Sequence, residues 1–105
     1  FKMGKADDSL KYFRQALATD PKLMDAQAGL GKALIQLRRY PEAARAMEEA
    51  LKIDPNLASL HLYLSQAYRA LGRADDAKRE AAVFSRLNQE RANARDREGD
   101  RKYPN

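Results

Sequence analysis

The sequence predicts an all-α fold, a helix-turn-helix solenoid of about five helices, and three observations carry that expectation. The phrase ALATDPKL at 16–23 returns 34 residues later as ALKIDPNL at 50–57. Between these phrases the apolar residues are spaced by three and four, as one face of a helix requires. Acidic pairs and Asp-Pro steps fall at matching places, where the chemistry of helix ends would put them.

The first of these holds along most of the chain. Blocks 4–37 and 38–71, compared in register, share eight identities, among them Asp20/Asp54, Pro21/Pro55, Leu30/Leu64 and Leu37/Leu71. Composition alone would give about two. A third block, 72–105, keeps only its opening: GKADD at 4–8 returns as GRADD at 72–76. By Asn88-Gln89 the pattern has dissolved into polar sequence, as it would where a repeat ends.

Each element then has a local reason. A helix over about 5–18 opens on Asp7-Asp8, which suit the positive end of the helix dipole, and stops at Asp20-Pro21, because proline disfavours helix in the residue before it. A helix over about 22–37 carries Leu23, Ala26, Leu30, Ala33, Leu34 and Leu37 on one face. After a break at Arg38-Arg39, a third helix over about 41–53 opens on Pro41-Glu42 and ends at Asp54-Pro55. A fourth, over about 57–71, repeats the apolar face with Leu57, Leu60, Leu64, Ala67, Tyr68 and Leu71. A fifth begins near 74 behind Gly72-Arg73 and Asp75-Asp76, and Gly99 is the expected stop. Residues 99–105 are expected to fray.

Small residues mark where helices cross closely. Gly31 and Ser65 fill this role on the first helix of each unit, and Ser9, Ala43 and Ala77 on the second. Leu30, Leu34, Leu37, Phe13, Leu17, Met47, Leu51, Leu64, Tyr68 and Leu71 are the expected packing residues around them.

These positions resemble the tetratricopeptide repeat: a small residue in the first helix, a small–aromatic–small series in the second (Ser9-Phe13-Ala16; Ala43-Met47-Ala50), then proline (Pro21, Pro55). The resemblance covers residues 4–87, about two and a half repeats, and implies a right-handed α-α superhelix. It divides the chain into a half unit at 4–20, units at 21–54 and 55–87, and a charged helical extension and tail at 88–105. There are departures. Gln27 and His61 stand where an aromatic is usual near the start of the first helix, Met47 and Ala81 replace an aromatic in the second, and the third unit lacks its proline. The chain opens on Phe1, in the middle of a unit, so further sequence upstream or a second copy is expected to cover Leu10, Phe13 and Leu17.

The resemblance also implies a function. Arrays of this kind are protein-interaction modules whose stacked first helices line a concave groove for a peptide or partner helix. By repeat phase the groove would be lined by Asp25, Ala28, Lys32, Ile35 and Gln36, and by Ser59, Leu62, Tyr63, Gln66 and Arg69. Lys32 and Arg69 could hold a carboxylate or carbonyl, Ile35 and Leu62 an apolar anchor, and Tyr63 both. Some family members clamp acidic C-termini with Lys and Asn one turn apart. The matching positions here are Ala28 with Lys32 and Ser59 with Tyr63, so that clamp is missing. Self-association through uncovered terminal helices, or service as the recognition arm of a larger enzyme or assembly, are the alternatives.

Other classes find little support. With no Cys and a single His, the chain offers no thiolate nucleophile and no ligand cluster of metal-site spacing. His61 lies in an apolar helical context and reads as a packing residue, and the Asp pairs read as helix-start chemistry rather than catalytic carboxylates. No Gly-rich loop suits a phosphate. No catalytic residue, metal site or cofactor is therefore assigned. Net charge is +5, but 20 basic and 15 acidic residues are interspersed. That pattern fits a solvated surface better than a nucleic-acid face. No apolar run approaches the roughly 20 residues that span a bilayer. The lack of Cys leans towards a reducing compartment such as the cytoplasm without assigning one.

Overall fold

The computed structural model describes the backbone of residues 2–102 and the side chains of residues 4–97. Five helices follow one another: α1 (Lys2–Thr19), α2 (Met24–Gln36), α3 (Tyr40–Ile53), α4 (Ala58–Ala70) and α5 (Ala74–Lys102). Among the described residues there is no strand. Each helix packs on its neighbours in the chain, and α2 also packs directly on α4, so the first helices of the two units lie side by side. The stack measures 54 × 33 × 29 Å.

The repeated phrases do the same work twice. In each Asp-Pro turn the aspartate folds back on the backbone: the N–H of Lys22 donates to Asp20 Oδ1 at 3.1 Å, and that of Asn56 to Asp54 Oδ1 at 3.0 Å. The side chain of the fourth residue of the next helix reaches the proline carbonyl, Gln27 Nε2 to Pro21 O at 3.0 Å and His61 Nε2 to Pro55 O at 2.7 Å. These are the two positions that depart from the aromatic of the repeat pattern. Both departures bring a side chain that bonds a carbonyl of the turn.

The breaks after α2 and α4 are also copies. The N–H groups of Arg38 and Arg39 bond to Ile35 O and Leu34 O, and those of Gly72 and Arg73 to Arg69 O and Tyr68 O. Such double bonds close a helix only when the residue between them is left-handed. Gly72 takes φ +78° and Arg38 takes φ +60°. Glycine adopts this conformation freely and arginine does not. Arg38→Gly is therefore expected to raise the unfolding free energy by about 0.5–1 kcal/mol, while Gly72→Ala lowers it by about 1 kcal/mol. Equal shifts of the same sign in urea denaturation would refute this account of the turns.

At the starts of α3 and α5 the acidic residue is gripped as well as placed. Arg39 forks onto Glu42 at 2.9 and 2.8 Å, and Arg73, its counterpart, bonds Asp76 at 2.8 Å. Asp7 and Asp8 do not open their helix. Lys2, Lys5 and Ala6 are good helix formers, α1 already begins at Lys2, and the pair sits exposed in a later turn. Gly99 does not stop α5 either, and residues 99–102 are helical. A glycine inside a helix costs only about 1 kcal/mol relative to alanine, and ends it only where the chain also turns. Phe1 and residues 103–105 of the expected tail lie outside the described residues.

Burial follows the repeat phase at the centre and departs from it at the edges. Gly31, Ser65, Ala43 and Ala77 are buried, and Met47, Leu60, Leu64 and Ala50 are almost wholly sealed. Leu17, Leu30, Leu37, Leu51 and Phe13 are only half-buried. Leu23 and Leu71, expected on the apolar faces, are 42% and 37% exposed. Both flank helix ends, at the N-cap of α2 and the C-cap of α4, where no further helix lies over them. Leu10, expected to be partly uncovered, is 5% exposed because α2 lies across it, whereas Phe13 and Leu17 do remain partly open.

Two polar links join α4 to its neighbours. His61 is buried, with Nδ1 2.7 Å from Glu80 Oε2 on α5. One ring nitrogen thus meets the Glu80 carboxylate and the other the Pro55 carbonyl, so the ring ties the turn to α5. Tyr68 donates to Glu48 Oε2 on α3 at 2.6 Å, and the Arg73 guanidinium lies 4.2 Å over its ring. Burial, then the bond to Glu48 and its negative charge, push the Tyr68 phenol up from 10.0 to about 12. The folded state thus prefers the neutral phenol. Its stabilising effect is complete below pH 10 and is lost between pH 10 and about 12, as the unfolded chain ionises first. Unfolding free energy should fall across that window by up to roughly 2 kcal/mol more than in Tyr68→Phe, which cannot ionise there. Parallel curves for the two proteins would refute it.

Candidate functional site

The ten expected groove residues sit on α2 and α4, the two helices that pack side by side. The polar and charged ones, Asp25, Lys32, Gln36, Ser59, Gln66 and Arg69, are exposed. The apolar and aromatic ones are half-buried, with Ala28, Ile35 and Tyr63 resting against the edge of the core. Leu62 is half-buried as well. This division has a simple cause. The faces of α2 and α4 that meet α3 and α5 take the large apolar residues, and the adjacent face keeps its stems packed and its tips wet. Among the described residues, Asp25, Lys32 and Arg69 make no ion pair within the chain, although Arg14, Arg39, Lys52, Arg73, Arg79 and Arg86 do. The face therefore carries cations and an anion whose hydrogen-bonding capacity is not consumed internally.

Beside Lys32 and Gln36 the structure adds neighbours not assigned from sequence. Ser9 and Phe13 of α1, with Gly29 and Ala33 of α2, enclose an open pocket of about 280 Å³ that these two residues border. Gly29 is half of the reason that α1 comes so near. A Cβ there would collide with the Phe13 ring, so a side chain at 29 would force the ring or the helix away. Repeat phase does not show this, because Phe13 reads as a packing residue and Gly29 has Tyr63 as its counterpart in the next unit. The departure of Gly29 from its repeat partner was the available signal.

Among the described residues no helix is long and apolar enough to cross a membrane.

Comparison with known proteins agrees with the architecture. Two tetratricopeptide repeat models match, one over residues 1–58 and one over 34–96. An inactive TPR repeat-containing thioredoxin, TTL3, of Arabidopsis thaliana is 30% identical over 79 residues, 75% of this chain and 11% of that protein. Hsp70-Hsp90 organizing protein 1 of Glycine max is 30% identical over 80 residues, 76% of this chain and 14% of that protein. This chain thus spans only a small part of these relatives' length. In three dimensions it superposes on MamA AMB-1 with a TM-score of 0.77 at 24% identity, covering 83% of this chain and 52% of that one. A further crystal structure of MamA gives 0.78 at 19% identity, covering 85% and 52%. With the 34-residue period, the paired helices and the copied turns, these matches place the chain in the tetratricopeptide repeat family, whose members serve as protein-interaction modules.

Proposed function

We propose that this chain binds a peptide or partner helix along the face shared by α2 and α4. The observation that carries the reading is the one just described: a strip of half-buried Ile35, Leu62 and Tyr63 bordered by Lys32, Arg69 and Asp25, none of them ion-paired within the chain. Apolar stems next to unspent charges are what a peptide needs for one anchored side chain and a hydrogen-bonded backbone. The name of one relative points the same way, since an Hsp70-Hsp90 organizing protein is named for protein partners. The Lys–Asn clamp of some family members has no match on this face, so the bound segment is not restricted to an acidic C-terminus.

The test is selection from a random-peptide display library on the purified chain, followed by anisotropy titration of selected peptides. Tyr63→Ala should weaken binding about tenfold or more, as the loss of a central aromatic anchor does. Arg69→Glu should alter which peptides are selected. Peptides that bind Tyr63→Ala, Lys32→Glu and Arg69→Glu as tightly as the parent would refute the site.

A second reading, self-association, rests on α1. Among the described residues α1 packs chiefly on α2, with Arg14 reaching Glu42 of α3, and its Tyr12 is 67% exposed. A mass by light scattering that stays monomeric at all concentrations would remove it.

A further inference from the structure

On the opposite side of the unit, away from the α2–α4 face, the two repeats differ in a way that opens a second site. Between the Asp-Pro turn, the start of α2 and the outer side of α3 runs a groove of about 480 Å³. Its floor holds Leu30, Ala46 and Ile53, and Ile53 is 44% exposed. The same lane one repeat later, between α4 and α5, is shut. There His61 and Glu80 meet at 2.7 Å across it, and Leu64 beneath them is 1% exposed. In the open copy Gln27 stands in place of His61 and Ala46 in place of Glu80. Alanine is too short to reach across, so Leu30, the counterpart of Leu64, stays half-buried.

The charges around the two lanes differ too. Arg79 in the closed copy is spent on Asp76. Its counterpart Arg45 has Glu42 three residues before it, but that carboxylate is already held by Arg39 and, from α1, by Arg14 at 3.5 Å. Among the described residues Arg45 and Lys22 are left without an ion pair at the groove, while Lys52 is taken by Glu49. An apolar floor with two unspent cations on its rim complements an anionic, amphipathic ligand. The helical run from 45 to 53 sets a length of about 12 Å, room for about two helical turns or three to four extended residues.

We infer that this outer groove is a second docking site, for an acidic protein segment that presents one or two large apolar side chains flanked by Asp or Glu. It is independent of the α2–α4 face, and either site can fail without the other. The probe is a fluorescein-labelled, C-terminally amidated peptide with a Leu-Phe pair flanked by Asp and Glu, titrated by anisotropy. Saturable binding that weakens as salt rises is expected. Ala46→Glu, which installs the residue of the closed repeat, should weaken it about tenfold or more. Arg45→Glu with Lys22→Glu, both on the exposed rim, should do the same without touching packed residues. Tyr63→Ala should leave it unchanged. No saturable binding, binding insensitive to both sets of variants, or loss in Tyr63→Ala alone would each overturn the inference.

Discussion

Met47→Ala is expected to lower the unfolding free energy by about 2–5 kcal/mol. Met47 is 0% exposed at the middle of the stack, where α3 meets α2. Its Cγ would lie 2.7 Å from a Cβ placed on Gly31, so the two residues share one volume. Truncation leaves a cavity that neither helix can close alone, because each is also pinned on its other side. The shared volume allows a sharper test. Gly31→Ala alone must push the methionine aside and should gain little or nothing. In the Met47→Ala background the same change enters vacant space and gains the better helix propensity of alanine, so the double variant should recover roughly 1 kcal/mol relative to additivity. Strict additivity in urea denaturation would mean that α2 and α3 are not packed through this pair.

His61→Ala is the second large effect, roughly 2–4 kcal/mol. It removes a buried ring together with its bonds to the Pro55 carbonyl and the Glu80 carboxylate, each bond contributing about 0.5–1.5 kcal/mol beyond the lost packing. His61→Gln separates the two bonds. Gln27 already makes the proline-carbonyl bond in the preceding unit, so glutamine at 61 should keep that bond, lose only Glu80, and fall about halfway between the parent and His61→Ala. Should His61→Gln prove as costly as His61→Ala, the link to α5 rather than the turn would carry the whole effect.

Much of this was legible in the residues. The five helices follow from period, spacing and end chemistry, all of them local. So does the burial of Gly31, Ser65, Ala43 and Ala77, because close helix crossings admit few side chains. The misses fall where locality fails. The start of α1 and the end of α5 depend on small propensity differences spread over many residues, and a single glycine or acidic pair does not decide them. Leu23 and Leu71 keep the helical phase but sit at helix ends, where nothing lies above them. Leu10 was expected open and is covered, since only the angle of α2 across α1 determines what α1 hides. The groove face follows from repeat phase, yet the pocket that Ser9 and Phe13 form beside it depends on Gly29, where the second unit has the bulky Tyr63 instead.

The amino-acid order by itself determined the unit: two helices per 34 residues, where they turn, and which side of each is apolar. Those properties arise from backbone dihedrals and side chains a few positions apart, so the chain states them locally. Tertiary structure alone decided how the copies differ. His61 and Glu80 are 19 residues apart and meet at 2.7 Å, while their counterparts Gln27 and Ala46 cannot. One lane is therefore sealed and the other left open, and which charges remain unspent beside it depends on an arginine arriving from another helix.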